Sequence, residues 1–209
     1  MSSLSLQSPE DIINDALARI GYKLRIGSIW EGSTAAKLAL TIYSQTRDDL
    51  LRSQDWGFAS RDTDLTLLKQ APPGGYGGVQ WTSAYPMLPW FFSYAYPSDA
   101  LKIRAVKPTP VFIPNFDPSH NIFSIENDNT LTTPQGGPQK VILCNVPNAV
   151  CLYTAQVTAP LQWEVGFTEA LCAAIGRRLA PSLLGLEAAK LAAADEQQSI
   201  AIAAAEEAP

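Results

Sequence analysis

Residues 33–68 read STAAKLALTIYSQTRDDLLRSQDWGFASRDTDLTLL, and the fold turns on this stretch. Its first part has the pattern of one long amphipathic helix. Ala36, Leu40, Tyr43, Leu50 and Leu51 recur at steps of three, four and seven, the apolar stripe of a helix packed on a core. Arg47, Asp48, Asp49 and Arg52 lie mostly off that stripe and read as a solvated face, with Asp48 four residues before Arg52 in the favourable order. Gly57 is expected to end the helix in the left-handed cap conformation. Past Trp56, Leu65 and Leu67 flank Thr66 with a period of two, so a strand is expected over 64–68. Trp56, Gly57 and Phe58 thus mark a helix-to-β junction.

Upstream, Ser8-Pro9-Glu10-Asp11 is a helix start. A serine cap, a proline in the first turn and two acids meet the positive end of the helix dipole. Ile13, Leu17 and Ile20 line one face, with Ile12 and Ala16 beside them, and Gly21 stops the run. A loop over 22–32 carries Trp30, and Ser33 or Thr34 caps the second helix.

Residues 57–158 differ in kind: they hold 12 of the 16 prolines and 12 charged residues, six of each sign. Strand-like runs cover 64–68, 90–96, 101–107, 121–126, 140–145 and 149–157, separated by turn signals such as Pro97-Ser98-Asp99 and Gln135-Gly136-Gly137-Pro138. About six short antiparallel strands are expected. The segment 71–89, with Gly74-Gly75-Tyr76-Gly77-Gly78, reads as a long loop with aromatic anchors. It has no following Gly-Lys-Ser/Thr, so it is not a phosphate loop.

At Pro160 the helical pattern returns. Trp163, Phe167, Leu171, Ala174, Ile175 and Arg178 follow helical spacing up to Pro181, and Leu186 to Glu207 forms an alanine-rich final helix. The predicted architecture is α+β: a four-helix bundle of two N-terminal and two C-terminal helices (1–58 and 159–209), with an antiparallel β domain inserted at 59–158.

Composition bounds the function. With 209 residues, 46% hydrophobic and 17% charged, the chain suits a folded domain with a sizeable core. A net charge of −5, all of it in the helical parts, argues against a surface built to hold nucleic-acid phosphates. No apolar run is long enough to span a membrane, and MSSLSLQSPED has no secretory pattern. Cys144, Cys151 and Cys172 form no CxxC. Cys144 and Cys151 are placed to meet across a hairpin turned at Pro147-Asn148, but three buried thiols in a reducing cytoplasm is the expectation. His120 is the sole histidine, which leaves a metal cluster or a Ser/His/Asp triad resting on one loop residue. Asp48/Asp49 and Glu206/Glu207 are helix neighbours pointing in different directions, so neither makes an acid/base pair. Trp56, Trp81, Trp90 and Trp163 read as packing aromatics rather than a ligand platform. No cofactor and no catalytic constellation are expected.

Several segments carry a family resemblance: Asp15-Ala16-Leu17-Ala18-Arg19-Ile20-Gly21, the run Tyr43 to Leu51, and Ser53-Gln54-Asp55-Trp56-Gly57-Phe58-Ala59. Leu65 to Leu68, Trp90 to Pro97, Trp163, Ala170, Leu171 and Arg177-Arg178-Leu179-Ala180 continue it. In pattern and order the chain resembles the head-to-tail adaptors of short-tailed bacteriophages, the tail tubular protein A-like family. The segments 71–89 and 108–120 have no counterpart. The resemblance implies a structural virion protein with no cofactor and no chemistry. Such a protein forms a ring, typically of twelve copies, at the head-tail junction. It is assembled in the host cytoplasm, docks on the portal protein and meets the downstream nozzle or fibre proteins. Genome DNA passes through it without sequence-specific binding, and a negative lumen favours that passage. The sparse large apolar residues of the last helix, Leu186, Leu191, Ile200 and Ile202, are the expected portal-docking set. The alternative is a tail-associated cell-wall glycan-binding or hydrolysing protein using Trp163 with Glu164 and Glu169.

Overall fold

The computed structural model describes residues 8–108 and 122–206. His120, Glu207 and the segment 109–120 of the unmatched loop lie outside the described residues. Helix α1 spans Pro9–Arg19, α2 Thr34–Ser53, α3 Val165–Leu183 and α4 Leu186–Glu206. The strands are β1 Ser60–Asp64, β2 Leu67–Gln70, β3 Phe92–Ala95, β4 Ala100–Pro108, β5 Phe123–Thr132, β6 Pro138–Cys144 and β7 Ala149–Ala155. Residues Met1–Ala59 with Gln156–Pro209 make one compact unit, and Ser60–Ala155 make the other.

The fold is therefore mixed α+β, with four helices and two antiparallel sheets. This corrects the expected four-helix bundle with an inserted β domain. The helices do not close into a bundle. Instead α1, α2 and α4 each pack on α3, and they meet one another only sparsely. The reason lies in α3, whose sequence VGFTEALCAAIGRRLAPSL is small and apolar around most of its circumference. Ten of its residues are buried, so it offers faces to three partners rather than one stripe. Nor do the strands form a single layer.

Locally, α1 begins as its sequence dictates. Ser8 Oγ accepts from the Asp11 N–H at 3.1 Å. It ends in a Schellman motif: Gly21 N donates to Ala18 O and Tyr22 N to Leu17 O, both at 2.9 Å. This needs the left-handed φ of +79° that glycine adopts without strain. Ser33 caps α2 by accepting from Ala36 N at 3.3 Å.

The far end of α2 differs from the expected Gly57 cap. The helix stops at Ser53, Gln54 is extended, and Gly57 opens a 3-10 turn, Gly57–Ala59, instead of taking a left-handed cap. Trp56 decides this, because its Nε1 donates to Leu50 O at 2.9 Å. One C-terminal carbonyl of the helix is thereby satisfied while the indole folds inward. The apolar stripe also shifts: Leu40 is exposed, whereas Ala39, Thr46 and Arg47 are buried. Asp48 pairs with Arg47 at 2.8 Å and accepts from Gln156 Nε2 at 2.7 Å, and Arg52 meets Asp49. At α3 the expected stop at Pro181 is overrun to Leu183.

In the other unit the sheets have orders β1-β7-β4 and β2-β3-β6-β5. The run 64–68, expected as one strand, is split: Asp64 ends β1, Leu65 and Thr66 cross between the sheets, and Leu67 opens β2. Leu65 N donates to Ala149 O beside β7, and Thr66 O accepts from Ala95 N of β3. The expected period of two fails here: Leu65 turns into the shared core, whereas Leu67 is exposed. That core takes Ile103 and Val106 from β4, alternate residues of β7, Tyr94 from β3, and Ile142 and Cys144 from β6. Strands β6 and β7 lie in different sheets, so Cys144 and Cys151 are not cross-strand partners, and all three thiols are free and buried.

Candidate functional site

In the helical unit the residues flanking the two halves of the chain converge on one ring. Trp56 and Phe58 follow α2, and Trp163 precedes α3. All three pack on Phe167, at centroid distances of 5.1 Å, 5.1 Å and 5.2 Å, in edge-on or tilted geometry. Trp163 Nε1 donates to Val157 O at 3.0 Å, just as Trp56 donates to Leu50. The junction residues Trp56, Gly57 and Phe58 thus belong to the packing of the helical unit. Phe167 was legible only as one position in a helical spacing.

A cavity of about 900 Å³ lies beside α1, lined on α1 by Asp11, Asp15 and Arg19, with Lys23 and Arg25 from the following loop and Glu169 on α3. Trp163 also borders it but is only 8% exposed, with its N–H already engaged. Glu164 takes the N-cap position of α3, where its carbonyl accepts from Thr168 N and its side chain caps nothing. The structure therefore brings Glu169 and Trp163 to one cavity and leaves Glu164 off its lining. Of the acids there, Asp15 is held by Arg19 Nε at 2.8 Å, and Asp11 accepts from Ser8 Oγ at 2.8 Å. Among the described residues no group of three or more His, Cys, Asp or Glu is placed to hold a metal ion.

Helix α4 carries the remaining candidate. It leaves α3 through a turn at Gly185, where the N–H groups of Leu184 and Gly185 both donate to Ala180 O at 2.8 Å and 3.1 Å. Its inner face is small: Ala192 and Ala203 are buried, and Glu196 pairs with Arg177 of α3. Small side chains let α4 lie close along α3, and high alanine propensity keeps the helix formed.

The four expected docking residues do not share a face. Ile200 turns inward, half-buried, and its carbonyl accepts from Gln54 Nε2 at 3.5 Å. Leu191 and Ile202 are 76% and 50% exposed. They sit eleven residues apart, on one flank with Asp195 and Gln198 between them, a span of about 16 Å along the axis. Leu186 is exposed at the first turn, on the other flank, near the exposed Leu184. Beside Leu191 a smaller cavity of about 290 Å³ opens between Ala188 and Asp195 of α4, Gly176 of α3 and Ile20. The sequence pattern found the helix and three of its exposed residues. Which residues align needed only 100° per residue, but which side faces α3 did not follow from alanines that look alike on every face.

Comparison of the chain with protein-family models finds no match, and comparison with curated proteins finds none either. Any functional reading therefore rests on residues and geometry. The described helices include none long and apolar enough to cross a membrane. The thiols are poor nucleophiles: burial pushes Cys151 up to about 12 and raises Cys144 and Cys172 as well. What α4 offers chemically is a helix flank with exposed apolar side chains, Leu191 and Ile202, towards its two ends.

Proposed function

We propose that this chain is a structural protein of a phage head-to-tail junction. In this reading its copies form an adaptor ring, twelve in the family it resembles, between the portal and the nozzle or fibre proteins. The ring carries no chemistry of its own, and genome DNA passes through its channel. The observation that supports this reading is the flank of α4. The 21-residue helix packs along α3 through small side chains, while Leu191 and Ile202 remain 76% and 50% exposed. Burial of such side chains against a partner contributes on the order of 1.5–3 kcal/mol each, set against the entropic cost of association. The arrangement around Trp163 disfavours the glycan reading, because a buried indole with an engaged N–H presents no ring for a sugar to stack on.

The test uses purified portal rings. Leu191→Glu with Ile202→Glu, or deletion of residues 190–209, abolishes co-sedimentation with portal while the protein stays folded and soluble. An inward-facing control, Ile200→Val, binds as the unaltered chain does. Normal binding by the double variant sinks the proposal. A peptidoglycan-clearing assay with Glu164→Gln and Glu169→Gln controls is expected to show no activity in any sample.

A further inference from the structure

The loop between β2 and β3 has no part in the proposed docking helix, yet it is the most unusual segment of the chain. All 15 basic and all 20 acidic residues lie outside residues 70–98. Within that window stand eight aromatic residues: Tyr76, Trp81, Tyr85, Trp90, Phe91, Phe92, Tyr94 and Tyr96. The loop holds itself in one shape. Trp81 Nε1 donates to Pro86 O at 2.7 Å, and Tyr76 Oη lies 3.2 Å from both Pro86 O and Trp90 O. Phe91 is tied at both main-chain groups: its N–H donates to Asn145 Oδ1 at 2.9 Å and its carbonyl accepts from Ala71 N at 2.8 Å. The Tyr76 and Phe91 rings stand 6.1 Å apart. With the Tyr76 hydroxyl and the Trp81 N–H engaged internally, the loop turns Val79, Trp81, Leu88 and Phe91 outward, each 40–58% exposed.

This is the composition of an interface core, where aromatic residues and methionine are enriched and charges depleted. Ordering it on binding costs little, because it is already ordered. Charge decides the occupant. Two copies of this chain, each at −5 with that net charge carried by the helical parts, repel one another there. They approach with least opposition where neither presents a charge, and there no ion is stripped of water. We infer that the loop at residues 71–91 is the surface on which a second copy of this chain seats, through Val79, Trp81, Leu88 and Phe91. The inference rests on the ring reading for its purpose, but the patch is argued from its own residues. Contact through an uncharged patch between like-charged molecules has a signature: salt screens the repulsion and has no ion pair to weaken, so association tightens as salt rises.

Sedimentation velocity of the full chain at low and high salt tests this. The unaltered protein assembles with concentration, more tightly at high salt. Val79→Glu and Leu88→Glu remove no hydrogen bond of the loop, and each weakens assembly by about tenfold or more. Leu24→Glu, an exposed leucine of the helical unit, does not. Far-UV circular dichroism unchanged in all three keeps folding out of the result. The inference is overturned if the unaltered chain stays monomeric up to ~100 μM. It is also overturned if both loop variants assemble normally, or if the loop drives binding to phosphatidylcholine vesicles in place of self-association. Normal rings formed by both variants overturn the loop assignment and leave the adaptor reading standing. Loop-dependent closed dimers that ignore portal rings do the reverse.

Discussion

Lys69 of β2 and Asp128 of β5 form an ion pair, although their strands are the two outermost of the sheet β2-β3-β6-β5. Both side chains are nearly inaccessible, and Lys69 also reaches Thr130 Oγ1. Burial by itself raises the Asp128 carboxyl, but hydrogen bonds from Lys69 and Thr130 outweigh it and hold the group below its ordinary value. A depressed acid contributes stability that is full above its unfolded pKa, about 4, and is lost as pH falls through the lower folded value. Melting of the β unit is therefore expected to decline as pH drops below ~4. Asp128→Ala leaves Lys69 buried without its partner and costs about 3 kcal/mol at neutral pH. Thermal melts across pH check both statements; an Asp128→Ala melt with the same acid dependence as the parent removes the pair as its source.

Phe167 is fully buried beneath Trp56, Phe58 and Trp163. Phe167→Ala deletes the ring all three share and is expected to cost roughly 3–5 kcal/mol. Chemical denaturation followed by tryptophan fluorescence reports it directly, since two of the indoles pack on that ring. A loss under about 1 kcal/mol means the cluster closes the gap by itself.

Helix α3 touches α1 at Gly176. A Cβ there stands 3.1 Å from Ile20 Cγ2 and 3.2 Å from the carbonyl oxygen of Ala16, a backbone atom with little room to move. Gly176→Leu forces the two helices apart and lowers stability by about 1–3 kcal/mol. The parent and variant melts compared by circular dichroism at 222 nm test it, and an unchanged midpoint refutes the close approach.

Cys144, Cys151 and Cys172 are reduced, buried and raised in pKa by that burial, Cys151 to about 12. A thiol reagent at pH 8 is expected to find essentially none of them in the native protein and three on denaturation without reductant. One reactive group after denaturation reveals a disulfide and contradicts the structure.

Sequence by itself determined what depends on neighbours a few residues away. Ser8, Pro9 and Asp11 start α1 and Gly21 stops it, because caps and left-handed turns are satisfied within one turn of chain. The runs around 90–96, 101–107 and 140–145 are strands, because β-branched and aromatic residues bounded by turn signals announce themselves in any short window. The alanines of α4 make a helix wherever they are placed. The tertiary structure alone decided the rest. That α3 serves three helices, that Arg47 is buried and Leu40 exposed, and that α2 ends at Ser53 under the Trp56 indole all depend on partners far along the chain. So do the crossing at Leu65–Thr66, the separate sheets of Cys144 and Cys151, and the pairing of Lys69 with Asp128. Each is settled by burial and hydrogen bonding between segments tens of residues apart, and those energies have no trace in a local pattern.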